Sequence, residues 1–249
     1  MRNNIEKIDW DRGNLFQTKD KEGRKTVDDV FDQNTLRTIQ QLISRGYIST
    51  IENIIATGKE ANVFRAKTSD GRNRAVKIFR INTATFRKLE KYIIGDPRFK
   101  NTGNSHRERV FTWAQKEYKN LHAMKAAGAN VPKPFHVYKN IVIMQYLGWQ
   151  FRPYPSIKDK PPKDHQHFLR LLCKSIKAYK LEEISHGDLS EYNILNVREK
   201  PYIIDVGQAV PKGHPLHHEL HDRDMKNTFR FWKKYINNLS EEELKKWTT

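Results

Sequence analysis

Lys77 stands inside the run Ala75-Val76-Lys77-Ile78, where every neighbour is apolar. A lysine that merely solvates a surface does not sit in such a place. From Ile48 to Phe79 the residues are β-branched and alternating, and Ser69-Asp70-Gly71 interrupts them with a turn. That texture predicts three antiparallel strands, the last of which carries the lysine into the sheet. The chain is therefore constrained to a fold with a sheet built around a positive charge.

Elements on either side frame this sheet. Leu36, Ile39, Leu42 and Ile43 recur at helical spacing, with Asn34 as the expected N-cap and Gly46 as the stop. Residues 82–106 are polar and basic, with Gly95, Pro97 and Gly103, and read as a mobile loop or insertion. A long helix is expected from about Arg107 to Ala127, closed by Gly128 and Val131-Pro132-Lys133-Pro134. Strands follow at 135–139 and 141–147. Residues 148–163 hold four prolines and read as a hinge. Beyond it come a helix at about 164–183, short strands at 194–197 and 202–204, and terminal helices from about 221. The predicted division is an arm and helix (1–47, with 1–27 a loosely held arm), a first lobe (48–147) and a second lobe (148–249).

Of 249 residues, 37% are hydrophobic, enough for a real core. The net charge is +17, and the basic residues are scattered over the chain. Such a surplus implies attraction to a polyanion, of which nucleic acid is the commonest. The single cysteine, Cys173, excludes an intramolecular disulfide and a Cys-rich zinc site. A reducing cytoplasm is the natural setting. No apolar stretch approaches the length of a membrane span, so neither secretion nor membrane insertion is expected.

The chemistry concentrates in His186-Gly187-Asp188-Leu189-Ser190-Glu191-Tyr192-Asn193, followed by Ile203-Ile204-Asp205. A carboxylate, an amide five positions on and a second carboxylate after a short hairpin suit a metal-bound triphosphate. Mg²⁺ takes hard oxygen ligands and keeps few protein ones, so one carboxylate and one amide oxygen suffice beside the phosphates. The other carboxylate is then free to orient a hydroxyl or water.

These spacings resemble the catalytic and metal loops of protein kinases. The resemblance implies that Asp188 is the catalytic base, that Asn193 and Asp205 hold Mg²⁺, and that Lys77 grips the nucleotide phosphates with a helix carboxylate as partner. Glu117 is the better partner. Val110, Ala114, Leu121 and Met124 place it on the apolar stripe of the long helix, and a carboxylate facing the core needs a cation. Glu108 falls at the helix start, where favourable interaction with the dipole explains it.

The usual three-glycine loop over the phosphates is missing. Ala56-Thr57-Gly58-Lys59-Glu60-Ala61-Asn62-Val63-Phe64 takes its place. Together with His-Gly-Asp-Leu-Ser-Glu-Tyr-Asn and Ile-Asp-Val-Gly-Gln, that stretch resembles the RIO family of atypical serine/threonine kinases, type-1 branch, over about Val27 to Tyr235. The resemblance implies an α+β, two-lobed, reduced protein-kinase-like fold with an N-terminal helical extension. It implies ATP and Mg²⁺ as cofactors, with Thr57, Gly58 and Lys59 near the phosphates and the backbone of Gln145 and Leu147 clipping adenine. Asp205 gains a second role as transient phosphate acceptor in an ATPase-like cycle. The implied setting is small ribosomal subunit maturation, with precursor RNA or protein as partner, which agrees with the surplus positive charge.

Only 44 residues, 206–249, follow Asp205, and none forms the Ala-Pro-Glu element that closes a protein-kinase activation segment. Little room remains for a peptide platform. A catalytically silent RNA-binding scaffold and a small-molecule phosphotransferase are the alternative readings. Four features stay outside the site. The run His214 to His221 matches no metalloenzyme motif, Cys173 lies among core residues, and Phe229 to Tyr235 reads as core packing with a basic outer face. Thr102 and Ser105 are reachable hydroxyls in the basic loop, open to self-phosphorylation. The oligomeric state and the phosphate acceptor are left open.

Overall fold

The computed structural model describes residues 32–81, 86–100, 103 and 105–249; the expected arm at 1–27 and Thr102 lie outside them. Helix α1 (Gln33–Ser44) precedes strands β1 (Thr50–Thr57), β2 (Ala61–Lys67) and β3 (Asn73–Phe79). Helix α2 (Phe86–Ile93) and the long helix α3 (His106–Ala126) follow, then β4 (Pro134–Tyr138) and β5 (Ile141–Gln145). The five strands form one antiparallel sheet in the order β1-β2-β3-β5-β4. Lys77 is thus in the central strand, paired with Val63 on one side and Val142 on the other.

The two faces of this sheet bury separate sets of side chains. Ile39 and Leu42 of α1 cover one face with Phe64, Val76, Ile78, Ile141 and Ile143. On the other, Ala75, Val142 and Met144 join a core shared with α3 and the C-terminal half. Alternation along β3 sends Val76 and Ile78 to the first core and Ala75 and Lys77 to the second. That parity places the lysine on the side where α3 lies.

After β5 the chain forms a hairpin, β6 (Gly148–Trp149) and β7 (Arg152–Pro153), and continues with α4 (His165–Leu181). Short pairs then alternate with loops: β8 (Ile184–Ser185) with β11 (Val210–Pro211), and β9 (Ile194–Asn196) with β10 (Pro201–Ile203). Helices α5 (His217–Trp232) and α6 (Glu241–Thr248) complete the chain. Phe168, Leu169, Leu172, Cys173 and Ile176 of α4 pack in a core with Leu220, Phe231, Trp232 and Leu244.

Four expectations need correction. Asp32, not Asn34, caps α1, its Oδ1 accepting the Thr35 N–H at 2.8 Å, and Asn34 is already helical. The stretch 82–106 is not simply a loop: Leu89, Tyr92 and Ile93 of α2 are buried, and Asp96 caps a 3-10 turn at Pro97–Phe99. The proline-rich hinge contains the β6–β7 hairpin. Helix α5 begins four residues before 221, drawing His217, His218 and His221 into its first turns.

Among the described residues no helix is long and apolar enough to cross a membrane, and no group of three or more His, Cys, Asp or Glu side chains is arranged to hold a metal. Burial pushes the Cys173 thiol up to about 12, which leaves it inert. Phe231 and Trp232 are buried, while Arg230, Lys233 and Lys234 face out. Ser105 is a helix cap: its hydroxyl bonds Glu108 Oε2 at 2.7 Å and accepts the Glu108 N–H at 3.2 Å in a capping box.

Candidate active site

Three elements converge at Lys77. Its ammonium lies 2.9 and 2.8 Å from the two oxygens of Glu117 on α3 and 3.0 Å from Asp205 Oδ1. Burial opposes the charged form, yet Asp205 and Glu117 hold the Lys77 ammonium above its ordinary range. Glu117 is buried on the inner face of α3, so a fixed salt link joins helix to sheet. Glu108, tied into its capping box, takes no part.

Asp205 follows β10 and adopts φ +59°, a left-handed conformation uncommon for a residue with a Cβ. Its neighbours hold it there. The Ile204 N–H donates to Asn193 O at 2.9 Å, and His186 Nε2 lies 3.2 Å from Ile204 O. Because His186 Nδ1 accepts the Asp188 N–H at 3.2 Å, the ring proton sits on Nε2 and donates to that carbonyl. His186 therefore links the Asp188 loop to the Asp205 loop. Lys77 beside Asp205 keeps its carboxyl below the usual range.

Asp188 is clamped from both directions. Asn193 Nδ2 donates to its carbonyl at 2.8 Å and to Oδ2 at 3.1 Å, and Gln208 Nε2 reaches the same Oδ2 at 3.4 Å. From behind, buried Asp224 on α5 accepts the N–H of Gly187 at 2.7 Å and of Leu189 at 2.8 Å. Arg223 donates to Gly187 O. Gly187 has φ +81°, and a Cβ there would meet Gln208 O at 2.9 Å, so the turn requires glycine.

Glu60, at the end of the β1–β2 turn, completes the cluster. Burial, then the nearby Asp205 and Asp188, hold its carboxyl above the ordinary range against the pull of Lys77. Burial and Asp205 likewise raise Asp188, with His186 and Asn193 opposing. Four carboxylates, Glu60, Glu117, Asp188 and Asp205, thus crowd one site, with Lys77 and, beside Asp188, Arg223 offsetting them. A hard cation would relieve that excess, and Asn193, which spends its Nδ2 on Asp188, keeps its amide oxygen for one. Asp205 and Asn193 together fit Mg²⁺.

The remaining sequence candidates lie around this cluster without bonding to it. Thr57, Gly58 and Lys59 are exposed at the β1–β2 turn, closed by the Gly58 N–H to Ala61 O at 2.9 Å. Gln145 ends β5 with its N–H spent on Lys133 O at 2.8 Å, and Leu147 O accepts the Tyr154 N–H at 3.0 Å. What these two leave for a base edge is the Gln145 carbonyl and the Leu147 N–H. Glu60, Gln208, Arg223 and Asp224 are the site's additions to the sequence candidates. Of these only Glu60 and Gln208 stood within quoted motifs, where their positions were the available signal.

The RIO domain family model matches residues 62–245. The chain is 36% identical over 229 residues to the RIO-type serine/threonine-protein kinase Rio1 of Methanocaldococcus jannaschii, covering 92% of this chain and 78% of that protein. It is 33% identical to the serine/threonine-protein kinase RIO1 of Homo sapiens, covering 92% of this chain and 41% of the human protein, less than half of its length. Among solved structures, the Rio2 kinase of Chaetomium thermophilum superposes with a TM-score of 0.66 at 21% identity, covering 87% of this chain and 69% of that one. Its ADP/Mg²⁺-phosphoaspartate complex does so with a TM-score of 0.59 at 20% identity, covering 84% and 64%. These two structures share the fold.

Proposed function

The chain belongs to the RIO family, and from that premise we propose that it is an atypical serine/threonine kinase and ATPase that uses ATP and Mg²⁺ in the cleft around Lys77. The observation that carries this reading is the Lys77 ammonium held at 2.8–3.0 Å between Glu117 and Asp205, beside an Asp188 oriented by Asn193. A buried, fully paired lysine at a cleft mouth has little purpose in a scaffold.

In this reading the Leu147 N–H and the Gln145 carbonyl receive adenine, while Thr57, Gly58 and Lys59 cover the phosphates. Lys77, kept charged by its two partners, takes the α- and β-phosphate oxygens. Mg²⁺, held by Asp205 and Asn193, would neutralise charge developing on the phosphates. Asp188 orients the acceptor. For hydrolysis, a carboxylate oxygen of Asp205 attacks the γ-phosphorus, the bond from that phosphorus to the β-γ bridging oxygen breaks, and ADP leaves. Water then cleaves the acyl phosphate, returning the carboxylate and releasing phosphate. The aspartyl phosphate named for the Rio2 complex supports this second route.

The net charge of +17 supports an RNA-rich partner, and we place it in the precursor of the small ribosomal subunit. The test uses labelled ATP with Mg²⁺ and compares wild type with Asp188→Ala and Asp205→Asn. Turnover and self-labelling are expected to fall about a hundredfold or more when either carboxylate is removed. Unchanged turnover in both variants refutes the assignment. Binding to the precursor RNA is expected to weaken steeply between low and moderate salt, and salt-insensitive binding refutes the partner.

A further inference from the structure

A buried polar cluster backs the turn that follows Asp205. Asp96, Lys116 and Asn120 are each at most 2% exposed. Lys116 and Asn120 are four residues apart on α3, hence on one face. Lys116 Nζ donates to Ala209 O and lies 3.3 Å from Asp96 Oδ2. Asn120 Nδ2 donates to Val206 O at 2.7 Å and to Ala209 O at 2.9 Å, while its Oδ1 accepts Arg98 Nη2 at 2.9 Å. Arg98 closes the set with two bonds to Asp96, at 2.9 and 2.7 Å.

Both anchored carbonyls belong to the five-residue turn that starts at Asp205. A carboxylate at φ +59° keeps that geometry only if its surroundings over-determine it. The turn's own closure is one bond, Ala209 N–H to Val206 O at 3.1 Å. His186 and Asn193 hold Ile204 just before it, and the face of α3 backs the turn itself: Lys116 and Asn120 grip the two carbonyls, and Trp113 lies against Gly207 so closely that an added Cβ would meet its ring at 2.9 Å. Glu117, on the same helix, reaches Asp205 through Lys77. Asp96 supplies the counter-charge that lets Lys116 sit buried, so the segment after α2 is wired to the turn.

We propose that Asn120, Lys116 and Asp96 are positioning residues for phosphoryl transfer, holding the turn from Asp205 to Ala209 so that Asp205 faces the metal and Gln208 faces Asp188. The inference rests on reading Asp205 as a metal ligand and adds what keeps it in place. It makes residues 94–100 part of the catalytic machinery, although they lie outside every motif of the family resemblance.

The test is Asn120→Leu, close in volume but without the two donated bonds. Half-saturation by Mg²⁺ is expected to rise about tenfold or more, the magnitude seen when outer partners of metal ligands are removed. Excess Mg²⁺ should recover part of the lost rate. ATP binding in EDTA, read as a thermal shift, should change less than twofold, whereas the further shift produced by Mg²⁺ should shrink. Amide exchange in residues 205–209 should accelerate. A variant with wild-type Mg²⁺ half-saturation and wild-type exchange overturns the proposal, as does a lowered melting temperature with no change in Mg²⁺ dependence.

Asp96→Asn, which keeps shape and removes the charge facing Lys116, should move the same readouts in the same direction by less. Should Asn120→Leu not fold, an unchanged Mg²⁺ midpoint in Asp96→Asn overturns the proposal. Wild-type protein without Mg²⁺-dependent turnover overturns the site reading and this inference together. An active wild type with indifferent variants overturns this inference alone.

Discussion

Asp224→Ala removes a carboxylate that holds the Asp188 loop from behind. Its two oxygens accept the N–H groups of Gly187 and Leu189 at 2.7 and 2.8 Å in a site only 2% exposed. Alanine leaves both buried amides without their carboxylate partner. Each orphaned buried donor costs about 1–3 kcal/mol, so the expected loss is about 4 kcal/mol. For a chain of this size that lowers the melting temperature by about 8–16 °C. Relief from burying the carboxylate, which burial already pushes above its ordinary range, trims the figure toward its lower end. Freed on one side, the Gly187-Leu189 peptides carry Asp188 out of register, and a displacement near 1 Å is worth about a hundredfold in rate. Thermal unfolding by circular dichroism, with ATP turnover at 25 °C on the folded variant, measures both. A melting temperature within 2 °C of wild type together with full turnover would refute the clamp.

Glu117→Gln leaves Lys77 with Asp205 alone and lets the ammonium collapse onto it. Breaking the buried pair is expected to cost about 3 kcal/mol of folding stability, read as a lower urea midpoint, and the displaced ammonium to lower kcat/KM for ATP; a loss below threefold in steady-state turnover counts against the pairing. Burial depresses Lys116 to about 8 from its ordinary 10.5, with Asp96 opposing. Between those values the unfolded chain holds a proton that the folded one has released, so folding stability rises with pH across the window and is flat below it. Over 2.5 pH units the rise is about 3 kcal/mol at most. Urea midpoints of wild type and Lys116→Met, compared from pH 8 to 10.5, should converge or diverge by that amount, and parallel curves would disprove it.

The sheet and long helices were legible because their side chains obey one period over many residues. Lys77 and Glu117 were legible for the same reason in reverse: each is a charge in an apolar row, and an exception to a strong pattern is itself a signal. Asp224 offers no such contrast. It sits in His217-His218-Glu219-Leu220-His221-Asp222-Arg223-Asp224, where polar neighbours surround it in sequence and only folding buries it against a loop 35–37 residues earlier. Asn120 and Lys116 are similar, since their partners at 206 and 209 are 86–93 residues away. Leu89, Tyr92 and Ile93 do carry helical spacing, but Gly95 and Pro97 close by gave the stretch the look of a loop.

The two carboxylate loops take their support from different helices. Asp188 hangs from α5 through Asp224 and Arg223. The turn after Asp205 hangs from α3 through Lys116 and Asn120. The β8–β11 and β9–β10 pairs flank the two loops, and His186 to Ile204 O, Ile204 N–H to Asn193 O and Gln208 to Asp188 link them directly. The helix that pairs with Lys77 therefore also grips the turn after Asp205, so a displacement of α3 would move the lysine, its Glu117 partner and that turn together.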